Sequence, residues 1–305
     1  MNRRELLAGS CASLAFIARG AVAQEVTSLD VAYAGSMGSM MEGPIKAGAA
    51  QALGIAMNGR AQGSDALAQL IAGGSISPDV FLPVTPGPAQ TVLAAGKAKL
   101  ATPIARTEMV IAYSPKSKYA QQFADAAAAK AGASPWWQIL QNSDIRFGRT
   151  DPAVDPQGRN IIFTLQLAES YYKQPGLAQK IAGDTFNPAQ IFSEPTVEAR
   201  LQSGELDAAS AYKIQPGPFN LPYITLPKEI NLGSQAMQNA YALTSLALSG
   251  KTFHPQPLVY YALTLLASTH QDKSAAFVAW LTGDAQSIFR QYFYDPPTDA
   301  LPLHA

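Results

Sequence analysis

Short apolar runs and small polar junctions alternate through the first hundred residues of the chain. "LDVAYA" (29–34) is apolar and β-rich and stops at Gly35-Ser36, after which Met40, Met41, Ile45 and Ala49 recur at helical spacing. The pattern then repeats as "IAMNGRAQ" (55–62), Gly63-Ser64 and the helical "DALAQLIAGG". "DVFLPV" (79–84) reads as a third strand, and a helix of small residues runs on to Gly96. Strands and helices alternating at this spacing predict βαβ units on a parallel sheet. "TEMVIAYSP" (107–115) alternates as a strand that leaves this unit for a second one. There the pattern predicts a helix over 117–131, a helix at "WWQIL", a strand at "DIRFG" and a long helix over 156–173. "YITLPKEINLGS" turns the chain back, "YALTSLAL" and "LVYYALTLLA" read as returning β-rich segments, and helices over 272–282 and 284–293 close it. The order fits an α/β protein of two lobes joined by crossing strands.

Composition narrows the function classes. With 305 residues, 48 % of them hydrophobic and 14 % charged, the chain has ample material for a packed core. Its formal net charge is zero and no basic run appears, so no field gathers nucleic acid. The segment "MNRRELLAGSCASLAFIARGAVAQ" carries Arg3 and Arg4, an apolar stretch and "AVA" at 21–23. That layout predicts a cleavable export signal over 1–23, of twin-arginine character. Its apolar run is too short to span a membrane comfortably and Arg19 interrupts it. Loss of Arg3, Arg4, Arg19 and Glu5 would leave 19 basic against 21 acidic groups. Cys11, the one cysteine, lies inside this segment, so the exported chain is expected to carry no disulfide and no cysteine metal site.

The two Gly-Ser junctions carry the first chemical signal. Each places a serine hydroxyl and unpaired backbone N–H groups at a helix start, just past a strand, where anions bind. Ser36 and Ser64 read equally well as plain helix caps. Two such junctions at the carboxyl ends of neighbouring strands favour a shared pocket. "AGSMG" (34–38) also resembles a nucleophile elbow, which would make the protein a secreted serine hydrolase using Ser36. Such an enzyme needs a histidine, and His254, His270 and His304 stand in no distinctive context. Their spacing supports no zinc site. Trp136-Trp137, Tyr171-Tyr172 and Tyr260-Tyr261 lie in apolar segments and read as packing residues.

"GRTDPAVDPQGRN" (148–160) concentrates two Asp-Pro pairs and two arginines in a lightly charged chain. Asp155 before Pro156 is a helix start, since aspartate caps well and proline favours the first helical position. It brings a third set of free N–H groups, now from the second lobe.

Taken in order, "AGS" (34–36), "QGS" (62–64), "EMVIAYSPKSKYA" (108–120), "GRTDPAVDPQGR" (148–159), "SGELDAASAYK" (203–213) and "LPKEINLGS" (226–234) resemble the periplasmic tungstate/molybdate-binding proteins of the archaeal type, which feed an ABC importer. The chain departs from that pattern at Gln157 and in the residues after Lys213. The resemblance implies a two-lobe, Venus-flytrap periplasmic-binding-protein fold of type II character, with the ligand between the lobes. One lobe would be 24–110 with 240–305 and the other 111–239. It further implies a periplasmic monomer that is no enzyme, takes tungstate or molybdate with no other cofactor, and meets the importer's membrane subunits. By matching motifs, Ser36 and Ser64 would hold the oxyanion, Tyr212 would contact it, and Asp155 and Glu194 would complete an octahedral centre on Mo or W. Glu198 is the neighbour that competes with Glu194 for that role.

Carboxylates repel a dianion, so a pocket for sulfate would use neutral donors. They fit a central atom that accepts further oxygen ligands, as Mo(VI) and W(VI) do, or an oxyanion that carries a proton, as phosphate does. Phosphate is therefore the alternative ligand. Arg149 and Arg159 are expected to offset the charge of Asp151 and Asp155 from outside the ligand shell.

Overall fold

The computed structural model describes residues 26–305, so the export segment expected over 1–23 lies outside the described residues. The chain opens with β1 (Thr27–Ala34), a 3-10 turn at Gly35–Met37, and a helix in pieces: α1 (Gly38–Met40), a π segment at Met41–Ile45 and α2 (Lys46–Leu53). Pro44 inside it lacks an N–H, and Gly43 leaves helical geometry at φ −101° and ψ −106°, which accounts for the break. Then come β2 (Ile55–Gln62), α3 (Ser64–Ala72), β3 (Val80–Leu82), α4 (Pro86–Ala94) and β4 (Leu100–Arg106).

A second group follows: β5 (Met109–Tyr113), α5 (Ala120–Ala127), α6 (Trp136–Ile139), β6 (Phe147–Gly148), α7 (Pro156–Tyr172), α8 (Leu177–Ala182), α9 (Glu194–Ser203), β7 (Ala208–Tyr212) and β8 (Tyr223–Thr225). The chain returns through α10 (Gln238–Tyr241), the hairpin β9 (Leu246–Leu248) and β10 (Lys251–Phe253), β11 (Val259–Thr264), α11 (Gln271–Thr282), α12 (Gln286–Gln291) and β12 (Leu303–His304). The pattern gave no element for 175–205, where α8 and α9 form, and "DIRFG" shrinks to two strand residues.

Two mixed sheets result. The first has the order β12-β4-β11-β3-β1-β2 and the second β6-β7-β5-β8. The parallel βαβ expectation holds for β1, β2 and β3 and fails beyond them, because β11 runs antiparallel to both β3 and β4. The reason is topological: β4 leaves the sheet toward the second one, and β11 re-enters from that same side, so it must run the opposite way. In the second sheet β5 is antiparallel to β7 and β8, and β6 is parallel to β7.

The alternation expected over 107–115 is also absent, since every residue of β5 is buried. Val110 and Ala112 pack in one apolar cluster while Met109, Ile111 and Tyr113 pack in another, so both faces of this strand are covered. Between the sheets the crossing segments are stitched together. Thr107 N–H donates to Leu258 O at 2.9 Å and Met109 N–H to Asn231 O at 2.7 Å. Among the described residues no helix is long and apolar enough to cross a membrane.

Candidate functional site

Strand register decides where the two serines meet. β1 and β2 pair in parallel with Ala34 opposite Gln62, so both strands end level and their following turns lie side by side. Ser36 and Ser64 each come two residues after those paired ends. Neither one is the cap residue. Ala34 and Gly63 hold the cap positions, with Ser36 inside the 3-10 turn and Ser64 the first residue of α3. Their hydroxyls have other partners. Ser64 Oγ accepts the Val84 N–H at 3.0 Å, and Ser36 Oγ lies 3.0 Å from the Tyr260 hydroxyl. The nine-residue α3 presents a full turn of N–H groups behind Ser64, while the broken helix after Ser36 offers only a short 3-10 turn.

The second sheet supplies the facing wall by the same rule. β6 and β7 are parallel, and the segment 149–155 leaves the carboxyl end of β6 just as Tyr212 ends β7. Asp155 caps α7, its Oδ1 accepting the Gln157 N–H at 2.9 Å. Asp151 Oδ1 accepts from Ala153 N–H at 2.8 Å, which closes the turn before it. Gly158 lets α7 start this close to the loop. A Cβ there would sit 2.4 Å from Thr150 O and 2.7 Å from the Pro152 nitrogen, and backbone cannot yield.

Ser36, Ser64, Asp155 and Tyr212 line one cleft of about 610 Å³ between the two sheets. That is within the ~300–1,000 Å³ range of small-ligand clefts. Glu194 is the first residue of α9; its side chain lies outside the described residues. Its backbone follows directly on Ser193, which lines the cleft. A bridge between Arg149 and Ile191 lays that segment against the loop from β6. Glu198 lines a separate, much smaller cavity between α9, α7 and β7.

No lysine or arginine lines the cleft among the described residues. Burial raises the Asp155 carboxyl above the ordinary carboxylate value. The Gln157 N–H and the Arg159 charge pull the other way without overcoming it. The Thr150 hydroxyl is close enough to favour the charged form, yet it meets no partner at hydrogen-bonding geometry.

The arginines act on the loop carboxylates through their charge from outside the cleft, Arg149 on Asp151 and Arg159 on Asp155, while their hydrogen bonds go elsewhere. Arg149 is fully buried, and its guanidinium donates to Asp184 O and Thr185 O at 2.9 Å and to Gln190 Oε1 at 3.1 Å. It anchors the 184–190 loop and acts on Asp151 through its charge. Arg159 donates to Pro152 O at 3.0 Å, lies over the Phe253 ring, and reaches across to Asp65 of α3 at 3.8 Å. An internal arginine satisfies its fork on carbonyls when these are the nearer acceptors.

Several site residues were missed from sequence. Thr150, Ile191, Phe192 and Ser193 line the cleft, and none carries a motif of its own. Gln157 knits α7 to β7: its amide donates to Ser210 O at 3.1 Å and accepts from Gln215 at 3.0 Å, while Gln215 Oε1 accepts the Tyr212 N–H at 2.6 Å. Asn160 Nδ2 donates to the Tyr212 hydroxyl at 3.0 Å and aims it. Their i, i+3 spacing on α7 is the signal that was available.

A family model for bacterial extracellular solute-binding proteins matches residues 29–295. The chain belongs to that family. This solute-binding protein is 30 % identical over 218 residues to a molybdate/tungstate-binding protein of Thermococcus kodakarensis. The match covers 63 % of this chain and only 60 % of that relative, so the chain spans about three fifths of the relative's length. Among solved structures, the substrate-binding domain of a putative molybdenum ABC transporter from Clostridium difficile superposes with a TM-score of 0.59 at 15 % identity, covering 88 % of this chain and 99 % of that one. The sulfate-binding protein SubI from Mycobacterium tuberculosis gives 0.58 at 13 % identity, covering 88 % and 87 %. Identities this low establish the fold alone: two α/β lobes of the periplasmic-binding-protein type.

The hydrolase reading finds no support in the site of this solute-binding protein. None of the three histidines lines the cleft, and the Ser36 hydroxyl is engaged by a tyrosine.

Proposed function

We propose that this chain is the extracytoplasmic binding component of an ABC importer and captures tungstate or molybdate. One observation carries the reading: neutral donors at Ser36 and Ser64 on one wall face a desolvated carboxylate, Asp155, on the other. Hydroxyls and helix N–H groups suit the oxygens of a tetraoxyanion. A buried carboxylate suits only a ligand that offers it a metal centre or a proton. The relative's name, a molybdate/tungstate-binding protein, agrees with the first of these.

In this reading Ser36, Ser64 and Tyr212 hold the oxyanion, and Asp155 and Glu194 reach its metal. The lobes are 24–110 with 240–305 and 111–239, which close on the ligand as a monomer. Residues 1–23 direct export to the periplasm, the importer's membrane subunits are the partners, and no cofactor or catalysis is required.

Calorimetric titration of the purified exported protein with tungstate, molybdate, sulfate and phosphate tests this. Tight binding of the first two and weak binding of sulfate is the expected result. Binding of phosphate alone would replace the ligand assignment, and ester hydrolysis abolished by Ser36→Ala would replace the function class.

A further inference from the structure

Behind Ser36, on the side away from the cleft, lies a pair of buried phenols. Tyr260 is fully buried on β11, and Tyr294 is nearly so in the segment after α12. Their rings meet edge to face at 5.2 Å, and the Tyr260 hydroxyl is close enough to favour the protonated form of Tyr294. Side chains of β11 alternate between two apolar clusters, and Tyr260 falls on the same side as Ala34 and Met37 of the first serine turn. Tyr260 is bridged to Val84, the residue whose N–H meets Ser64, so its backbone is tied to the segment behind the second serine. Tyr294 is held just as firmly, because its neighbour Asp295 exchanges two backbone hydrogen bonds with Arg106, at 2.9 and 3.0 Å.

A phenol has one proton to give, and so does a serine. A fully deprotonated oxyanion offers only acceptors, so Ser36 must spend its proton on the ligand. It is then an acceptor toward Tyr260, 3.0 Å away. Having donated to Ser36, Tyr260 in turn accepts from Tyr294. The other acceptor within reach of Tyr294 is the Ser36 carbonyl, 3.5 Å away at the limit of a hydrogen bond. Burial holds the Tyr294 phenol far above its usual range, so it keeps its proton at any working pH.

We propose that Tyr260 and Tyr294 are positioning residues of the oxyanion site, their hydroxyls donating in series so that the Ser36 hydroxyl is fixed as a donor toward the cleft. The proposal rests on the reading of Ser36 as a ligand contact. Simple packing, with two phenols satisfying each other in the core, predicts a different result in a double-mutant cycle.

The cycle uses Tyr260→Phe, Ser36→Ala and the double variant in the full exported protein, titrated calorimetrically with tungstate, with melting of the empty protein recorded beside it. Tyr260→Phe should weaken tungstate binding about three- to tenfold, the worth of one oriented hydrogen bond. It should cost nothing further once Ser36→Ala is present. Tyr294→Phe, one step further back, should give a smaller loss that also vanishes in the Ser36→Ala background, and it serves if Tyr260→Phe does not fold. An unchanged affinity, or the same loss with and without the Ser36 hydroxyl, overturns the proposal and leaves the binding function standing. If the parent protein binds tungstate but Ser36→Ala does not weaken it, the contact reading of Ser36 fails and the relay falls with it. If the parent protein binds no oxyanion, the proposed function itself has failed.

Discussion

The two walls of the cleft handle polarity in opposite ways. The wall from the first sheet is neutral, built from Ser36, Ser64 and the turns that carry them, each hydroxyl already engaged from behind. The wall from the second sheet carries Asp151 and Asp155, and among the described residues no lysine or arginine lines the cleft with them. That second half knows how to satisfy a carboxylate. Asp207, fully buried just before β7, accepts the Arg146 backbone N–H, Nε and a terminal guanidinium N–H at 2.9 Å each and the Ser117 hydroxyl at 2.7 Å. Burial pushes its carboxyl up, but Arg146 and Ser117 outweigh that and leave it below the ordinary value. Asp155 ends above it. One aspartate is a structural anchor whose charge is fully compensated. The other lines the cleft with its carboxyl desolvated, where a bound ligand would do the compensating in the function proposed above.

Breaking the anchor should have the largest effect. Asp207→Asn strands the buried donors that converge on it and should cost about 3 kcal/mol in denaturant unfolding. The pH dependence of the two aspartates should run in opposite directions. Because the folded value of Asp207 is depressed, its contribution is present above the ordinary value of 3.8 and is lost as pH falls through the folded value. Because the folded value of Asp155 is raised, its contribution is present below 3.8 and is lost as pH rises through the folded value. Asp155→Asn should therefore raise the melting temperature of the empty protein at neutral pH, since asparagine also caps well. If it melts lower, Asp155 is structural after all.

The same Asp155→Asn change should cost tungstate affinity about 1.5–3 kcal/mol, the range for interactions of charged groups, while weak sulfate binding holds or improves. Tighter tungstate binding in that variant would contradict a carboxylate–metal contact. Glu194→Gln should follow Asp155→Asn, and Glu198→Gln, placed in another cavity, should leave titrations unchanged.

Next in size is Gly158→Ala. Its Cβ would press on the backbone of Thr150 and Pro152, so the loop must shift, at roughly 1–3 kcal/mol of stability. Ligand affinity should drop with it, because the shift displaces Asp155 from the wall.

The serines should separate by degree. Ser64→Ala orphans the buried Val84 N–H and should cost about 1–3 kcal/mol of empty-protein stability as well as affinity. Ser36→Ala takes the acceptor from the buried Tyr260 hydroxyl, so it should lower affinity and melting together, but its melting loss should be smaller because Tyr260 keeps Tyr294 beside it. The smallest expected effect belongs to the link across the cleft between Arg159 and Asp65. At 3.8 Å, with the Asp65 side chain 68 % exposed, it is worth no more than about 0.5 kcal/mol. Asp65→Asn should speed ligand release slightly at low salt and not at high salt. Stopped-flow release at two ionic strengths reads this out.

Most of the two-lobe order, and the identity of the cleft residues on strand-to-helix junctions, was legible in the chain itself. Gly-Ser after an apolar run and Asp-Pro before an amphipathic one are local signals, because capping chemistry and proline's fixed φ act within a few residues. What the sequence did not carry is anything that depends on register or on the other half of the chain. The mixed direction of the sheets follows from where β11 re-enters. The level ends of β1 and β2, which bring Ser36 beside Ser64, follow from the pairing of Ala34 with Gln62. The charge of Arg149 and Arg159 does offset the loop carboxylates, but the oxygens their guanidiniums bond are those the packing sets within reach. Tyr260 looked like a packing residue because its neighbours in sequence are apolar. Only the long-range pairing of β11 with β3 and β4 brings its hydroxyl 3.0 Å from a serine 224 residues away. Local conformation is set by the short-range sterics and hydrogen bonding of each segment. The convergence of donors and carboxylates on one point is set by strand pairing across the whole chain, which no local pattern specifies.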